Sequence, residues 1–334
     1  MKERMWVPAP PQEVVQARRR QATPAVAARR HPRSRRLGLL AVAGLILVVA
    51  CLAGAGLLSA LAPSPGGRTN VLLLGIDRRS ETGWAYRTDT ILVLTVDPAS
   101  RAAGILSIPR DLQVPIPGYG EDRINTANFW GAQGHEENAD AGASLLKATI
   151  EGNFGIPIDG YLMVDFGTFV RIVDALGGID VEVPETLHDT RYPNPKPEDP
   201  YGYKTVHFDA GRQHMDGTQA IEYARSRMST SDFHRAKRQQ LVLLAIRQKA
   251  LSGAGVVRWP ALASAVLDGV KTDLGMGRLL RLAYLAARID LGSLQQVVLE
   301  HPLVSSFTRY DGAQVLLPQW ALINPVIEEL FGTR

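Results

Sequence analysis

Residues 77 to 111 read DRRSETGWAYRTDTILVLTVDPASRAAGILSIPRD. Two apolar runs inside this stretch, Thr90 to Val96 and Ala103 to Ile108, have the aliphatic and β-branched content of strands. Asp97-Pro98-Ala99-Ser100 between them is a cluster of turn formers, so the pair predicts a hairpin or a close strand connection. Charge gathers at its ends: Asp77, Arg87 and Asp89 precede the first strand, and Arg110-Asp111 follows the second. If the strands are antiparallel neighbours, the start of one lies beside the end of the other, and Arg87, Asp89 and Arg110 meet at one sheet edge. Two carboxylates suit a hard divalent cation, and guanidinium forks match phosphate oxygens. Surface ion pairs flanking an ordinary hairpin would use the same residues, and this stretch alone leaves both readings open.

Working outward, Asn70 to Ile76 is apolar enough for a buried strand running into Asp77. Val114 to Gly118 reads as an extended, irregular segment. Ala139 to Asn153 is helix-like, Tyr161 to Asp165 a strand, and Phe166 to Leu176 a helix stopped by Gly177-Gly178. Ile179 to Val183 alternates as a strand does, and residues 184 to 204, with five prolines, read as a long surface loop. Asp216 is placed to cap a helix ending at Ala224, and a second helix runs from about Arg235 to Leu251. Strands alternating with helices predict a layered α/β domain. Arg235 and Gln239 lie four residues apart, on one face near the start of the second helix, the end that favours anions. Taken together, Arg87, Arg110, Arg225, Arg227 and Arg235 accompany Asp77, Asp89 and Asp232 at the ends of elements. That pattern points to a phosphate-binding site rather than to scattered surface charge.

The overall charge of +4 is unevenly spread. Residues 1 to 36 carry ten basic and two acidic side chains, a net +8, so the remaining chain carries −4. Leu37 to Ala62 is 26 residues without charge or proline. About 20 apolar residues cross a bilayer, so this stretch is expected to span it. Arginines on its N-terminal side place residues 1 to 36 in the cytoplasm and everything from Arg68 onward outside. A signal peptide cleaved near Ala60-Leu61-Ala62 is the competing reading, disfavoured by the length of the apolar stretch and of the tail before it. The tail lacks a helical period and interleaved aromatics, so nucleic acid is not expected as a partner. A single Cys51 excludes an intramolecular disulfide framework.

The charged motifs also occur in a familiar order. Gly75-x-Asp77, Arg87-Thr-Asp-Thr90, Ser107-Ile-Pro-Arg-Asp111, Ile124-Asn125, Ala175-Leu-Gly-Gly178, Asp216-Gly217, Arg225-x-Arg227, Asp232-x-x-Arg235 and Arg238-Gln-Gln240 resemble the LytR-CpsA-Psr family over residues 70 to about 250. The resemblance implies an α-β-α sandwich with a mixed central sheet and an apolar channel for a lipid tail. One transmembrane helix would precede it. Residues 252 to 334 lie outside the match and read as mainly helical (Trp259 to Leu267, Leu279 to Ile289), with a candidate strand at Gln296 to Leu299. The corresponding segments are a tail (1–36), an anchor (37–62), a linker (63–69), a catalytic domain (70–251) and a C-terminal extension (252–334).

The implied activity is a Mg²⁺-dependent phosphotransferase of the cell membrane. It would move a glycopolymer from a polyprenyl-pyrophosphate carrier onto peptidoglycan through a phosphodiester link. By position, Asp77 and Asp89 match the magnesium carboxylates. Arg87, Arg110, Arg225, Arg227 and Gln239 match the pyrophosphate groups, and Asp232 and Arg235 match further polar positions of the site. The general base is left between Asp232 and Asp89. Arg247, outside the cluster, reads as an ordinary surface arginine. The alternatives are a non-catalytic envelope regulator or binding module, and a hydrolase that uses water as acceptor.

Overall fold

A computed structural model describes residues 68–76, 86–100, 102–135, 138–194, 202–226 and 232–332, with Asp232 and Leu291 described for their backbone alone. The expected tail, the apolar span, Asp77 and Arg227 lie outside the described residues. Among those described, no helix is long and apolar enough to cross a membrane.

β1 (Thr69–Ile76), β2 (Thr88–Val96) and β3 (Ala103–Ser107) form consecutive antiparallel neighbours, joined by the turn at Asp97. The Asp97 carboxylate closes that turn by accepting from Ala99 N at 2.9 Å. β6 (Gly160–Asp165) adds to β1 in parallel, and β12 (Gln295–Val298) adds to β3 in parallel. β11 (Lys271–Thr272) pairs antiparallel with β6, which completes a mixed six-stranded sheet in the order β11-β6-β1-β2-β3-β12.

Side chains alternate across a strand, so each register row assigns two faces. Leu72, Val93 and Leu106 share one row and face. They belong to a core with Ala127 of α1 (Thr126–Ala132), with Ala143, Leu146 and Ile150 of α2 (Ala139–Phe154) and with Ile323, Ile327 and Leu330 of α9 (Trp320–Phe331). Leu73, Leu92 and Ser107 form the next row and point the other way. There Gln240 of α5 (Asp232–Leu251) donates to Ser107 Oγ at 2.7 Å, which fixes α5 against that second face.

A second core lies beside the sheet. It holds Val173 of α3 (Phe166–Ala175), Val181 of β7 (Ile179–Val183), Met215 of β10 (Gly211–Met215), which pairs with β7, Tyr223 of α4 (Gly217–Arg225) and Val242 of α5. Asp165 caps α3 through Thr168 N at 2.7 Å, and Asp216 with Gln219 makes a reciprocal capping box on α4.

Three sequence readings are corrected. Val114 to Gly118 is not irregular: β4 (Gln113–Ile116) pairs with β5 (Gly120–Arg123) across a short turn. The 184–204 segment holds β8 (Leu187–Pro193), paired with β9 (Tyr203–Phe208). The buried Leu187, Asp189 and Tyr192 give that strand an inward side which its prolines mask in the sequence.

The third concerns residues 252–334, expected as a mainly helical extension with a candidate strand at Gln296 to Leu299, which is β12. Besides α6 (Gly253–Val256), α7 (Trp259–Gly269), α8 (Met276–Arg288) and α9, they hold β11, β12 and the hairpin of β13 (Val304–Thr308) and β14 (Gln314–Pro318). They supply both edges of the central sheet and part of its main core, so no packing boundary lies at residue 251.

Candidate functional site

The site lies where β1, β3 and β6 end and β2 begins. The antiparallel pairing of β2 with β3 returns the chain after Ser107 to the start of β2, as the hairpin reading requires. The turn after β3 is held from the backbone. Asn125 N donates to Arg110 O at 3.2 Å, and Ile124 N donates to Leu112 O at 2.7 Å. With its main chain fixed, Arg110 reaches back and its Nη1 donates to Asp89 Oδ1 at 2.6 Å. Asp111 lies 3.4 Å from Arg110 Nε and 3.4 Å from Arg123 Nε, so a chain of alternating charge runs along the rim.

A cavity of about 30 Å³ opens beside this pair. Its lining includes Asp89, Ser107, Arg110, Phe233, Arg235 and Gln239. Two strand ends and the first turns of α5 thus converge, and Arg235 and Gln239 share the helix face that their spacing predicts. Arg235 is only 6 % exposed. Its guanidinium stands on the cavity wall, and its planar fork matches the geometry of phosphate oxygens.

Arg225 closes α4 and is held differently. Its guanidinium lies 3.9 Å from the Phe166 ring centroid and 5.7 Å from that of Tyr192, whose hydroxyl accepts from Nη1 at 3.3 Å. Stacking of this kind fixes the plane of the guanidinium. Arg225 does not line the small cavity, and neither does Arg87, which is exposed at the start of β2. The side chain of Asp232, like Asp77 and Arg227, is outside the described residues.

Ser226 follows Arg225 and was not singled out by the sequence. It is buried, and its Oγ donates to Asp189 Oδ2 at 2.6 Å. Arg238 of α5 donates from Nη2 to Ser226 O and from Nε to Tyr223 O at 3.1 Å. Burial of Arg238 lowers its pKa below the ordinary guanidinium value. Among the motif residues only the Arg238-Gln-Gln run gave a sign of this clamp. Asp189 sat in the stretch read as a loop and gave none.

For a divalent cation, the described donor set is small. Among the described residues no group of three or more His, Cys, Asp or Glu side chains is placed to hold a metal. Asp89 engages Arg110 through Oδ1, and no described residue is bonded to its Oδ2. A carboxylate presenting one open oxygen suits Mg²⁺, which takes one or two carboxylates and completes its shell with water and phosphate.

Residues 58–318 match the model of the LytR_cpsA_psr family. The chain belongs to this family. A polyisoprenyl-teichoic acid–peptidoglycan teichoic acid transferase TagU of Enterococcus faecalis is 34% identical over 234 residues, 68% of this chain and 68% of that protein. TagV of Bacillus subtilis, named for the same transfer, is 30% identical over 210 residues, 61% of this chain and 49% of that one. Among solved structures, B. subtilis TagV superposes with a TM-score of 0.63 at 24% identity, covering 80% of this chain and 98% of that one. TagT bound to LIIa-WTA gives 0.59 at 24% identity over 80% and 92%. At that identity the structural likeness establishes the mixed α/β fold of the LytR_cpsA_psr family.

Proposed function

We propose that this member of the LytR_cpsA_psr family is a membrane-anchored phosphotransferase that moves a glycopolymer from a polyprenyl-pyrophosphate carrier onto peptidoglycan. The observation that carries the reading is the cavity at which the Asp89–Arg110 pair meets Arg235 and Gln239 at the open end of the sheet. The transfer for which the TagU and TagV relatives are named agrees with it. The apolar run at Leu37 to Ala62 supports an anchor, with the tail inside and the folded body outside.

In the proposed reaction an acceptor sugar hydroxyl attacks the phosphorus that carries the polymer. A new P–O bond forms, the P–O bond to the bridging oxygen breaks, and polyprenyl phosphate leaves as the hydroxyl proton passes to a base. Such transfer needs charge stabilisation and in-line positioning more than covalent help. Arg110 and Arg235 offset charge on the transferred phosphoryl oxygens, and Gln239 donates to one of them. Arg225, with Arg227 two residues on, grips the second phosphate. Mg²⁺, when bound by Asp89 and Asp77, supplies further neutralisation of the pyrophosphate. Half-buried apolar side chains support lodging of the lipid tail. They are Leu73, Leu94, Leu162 and Val164 on the α5 side of the sheet, with Phe169, Leu241 and Leu244 on the helices.

The test is transfer of radiolabelled glycan from a polyprenyl-pyrophosphate donor to peptidoglycan fragments by the full chain in detergent or proteoliposomes. Label in the peptidoglycan fraction, lost on Arg110→Ala, is the expected result. Label released only as soluble glycan would make the enzyme a hydrolase, and no consumption of donor would overturn the enzymatic reading.

A further inference from the structure

The end of the sheet opposite the site carries an unusual surface. Among the described residues twelve large apolar side chains stand exposed, and seven of them lie between Leu251 and Tyr284. Val257 is 80 % exposed and Trp259 49 %. Neither α7 nor α8 buries a single residue fully. The same region is basic: from Gly253 to Ile289 five basic residues (Arg258, Lys271, Arg278, Arg281, Arg288) stand with two acidic ones (Asp268, Asp273), on a body whose net charge is −4.

Its place in the fold follows from the connections. α5 starts at the site and runs away from it, so its last turn lies roughly 20 Å further on at 1.5 Å per residue. Trp259 Nε1 donates to Ala250 O in that last turn at 2.8 Å. Arg247, also in that distal part, donates to Ala286 O at 2.7 Å and to Ile289 O at 2.8 Å, which holds the end of α8 there. The start of α8 is held at the same end. Asp273 Oδ1 accepts from Tyr161 N at 2.8 Å, and Leu274 packs on Gly160, the partner of Val71 in β1. Met276 therefore lies near the point where the chain enters β1. Only six residues, Pro63 to Arg68, separate β1 from the apolar run that ends at Ala62, a reach of about 20 Å.

We propose that this face, formed by the end of α5, α6, the start of α7 and α8, rests on the bilayer and binds anionic lipid headgroups. The proposal rests on the anchored reading above. Exposed apolar side chains interleaved with arginines are the composition of an interfacial surface, with the rings and aliphatic chains at headgroup depth and the guanidinium groups on phosphates. A tether of six residues keeps the body at the membrane, and this is the end that faces it. A second copy of the chain would explain the apolar exposure, but it would bring like charges together.

The test uses the full chain, with Cys51→Ala and a nitroxide attached at Val257→Cys or, as the aqueous reference, at the fully exposed Tyr310→Cys on the β13–β14 hairpin. Power-saturation EPR is recorded in nanodiscs of 30% phosphatidylglycerol in phosphatidylcholine. The label at position 257 should be accessible to oxygen and shielded from a water-soluble nickel relaxant, while that at position 310 shows the reverse. Arg278→Glu with Arg281→Glu should move the label at position 257 toward the aqueous pattern. An aqueous pattern at position 257 in the unmodified background overturns the proposal, as does shielding from both relaxants, which signals a protein partner. Co-purification with the discs reports the anchor separately, and the transfer assay reports the enzymatic reading.

Discussion

Arg110 Nη1 donates to Asp89 Oδ1 at 2.6 Å, across two strands that are hairpin neighbours. The bond joins the cation proposed to face phosphate to the carboxylate proposed to face metal. Loss of either residue therefore disturbs both functions, unequally.

Arg110→Ala should lower transfer by roughly ten- to hundredfold, because a charge-assisted hydrogen bond contributes about 1.5–3 kcal/mol and each 1.4 kcal/mol is a factor of ten. Arg110→Lys should recover little, since it keeps the charge and loses the fork that can hold Asp89 and the proposed phosphate together. Asp89→Asn, which keeps the shape, should instead raise the Mg²⁺ concentration needed for half-maximal rate. An Asp89→Asn enzyme with an unaltered Mg²⁺ titration removes this carboxylate from the metal assignment.

Arg225 depends on aromatic neighbours as well as on charge. Phe166→Leu removes the ring 3.9 Å beneath its guanidinium while keeping an apolar side chain. A cation–π contact at a partly exposed site is worth about 0.5–1 kcal/mol. Carrier binding by Phe166→Leu, measured by titration with a polyprenyl-pyrophosphate analogue, should weaken two- to fivefold. Arg225→Ala should weaken it by tenfold or more. Equal losses in the two variants would mean that Phe166 contacts the carrier itself.

How much of this was legible follows from where each signal lay. The hairpin was readable because the β2 and β3 sequences are apolar runs joined by a turn signal, and antiparallel pairing then places Asp89 beside Arg110 without further information. Arg235 and Gln239 were readable from helical spacing. β8 was not, because Pro193 and the prolines after it outweighed the short inward pattern of Leu187, Asp189 and Tyr192. Residues 252–334 were read in part. The strand read at Gln296 to Leu299 is β12, whereas β11, two residues long, and the β13–β14 hairpin were not read. Long-range pairing placed β11 and β12 at the sheet edges, and local sequence does not encode it.

Arg247 corrects a related misreading. Its spacing from the motif residues made it look like an ordinary surface arginine, yet its guanidinium donates to the Ala286, Ala287 and Ile289 carbonyls. Burial lowers its pKa below the ordinary value, but the group stays charged near neutrality. A cation on unpaired carbonyls at a helix C-terminus contributes about 0.3–1 kcal/mol, more when partly buried. Arg247→Ala should lower the urea midpoint by an amount equivalent to about 1 kcal/mol and leave the transfer rate of the folded enzyme unchanged. A variant with the parent's midpoint would show that the carbonyls find water at no cost.

The Asp189–Ser226 bond gives the last prediction. Both residues are buried, and Ser226 stands between Arg225 and Arg227 in the chain. Asp189 holds the serine side chain from β8, and Arg238 holds its carbonyl from α5. Ser226→Ala removes the hydroxyl and leaves a buried carboxylate oxygen short of one donor, at about 1–3 kcal/mol of stability. That loss alone would be structural. If the clamp also sets the two flanking arginines, Ser226→Ala should raise the apparent KM for carrier by more than it lowers kcat, under conditions where thermal melting shows the enzyme fully folded. Ser226→Thr keeps a hydroxyl at the same atom and should recover most of the KM. Asp189→Asn retains an acceptor for the serine but removes a negative charge near the buried Arg238, so it should cost stability while shifting KM less than Ser226→Ala does. A folded Ser226→Ala enzyme with the parent's KM would confine the clamp to holding β8, α4 and α5 together, with no part in binding the carrier.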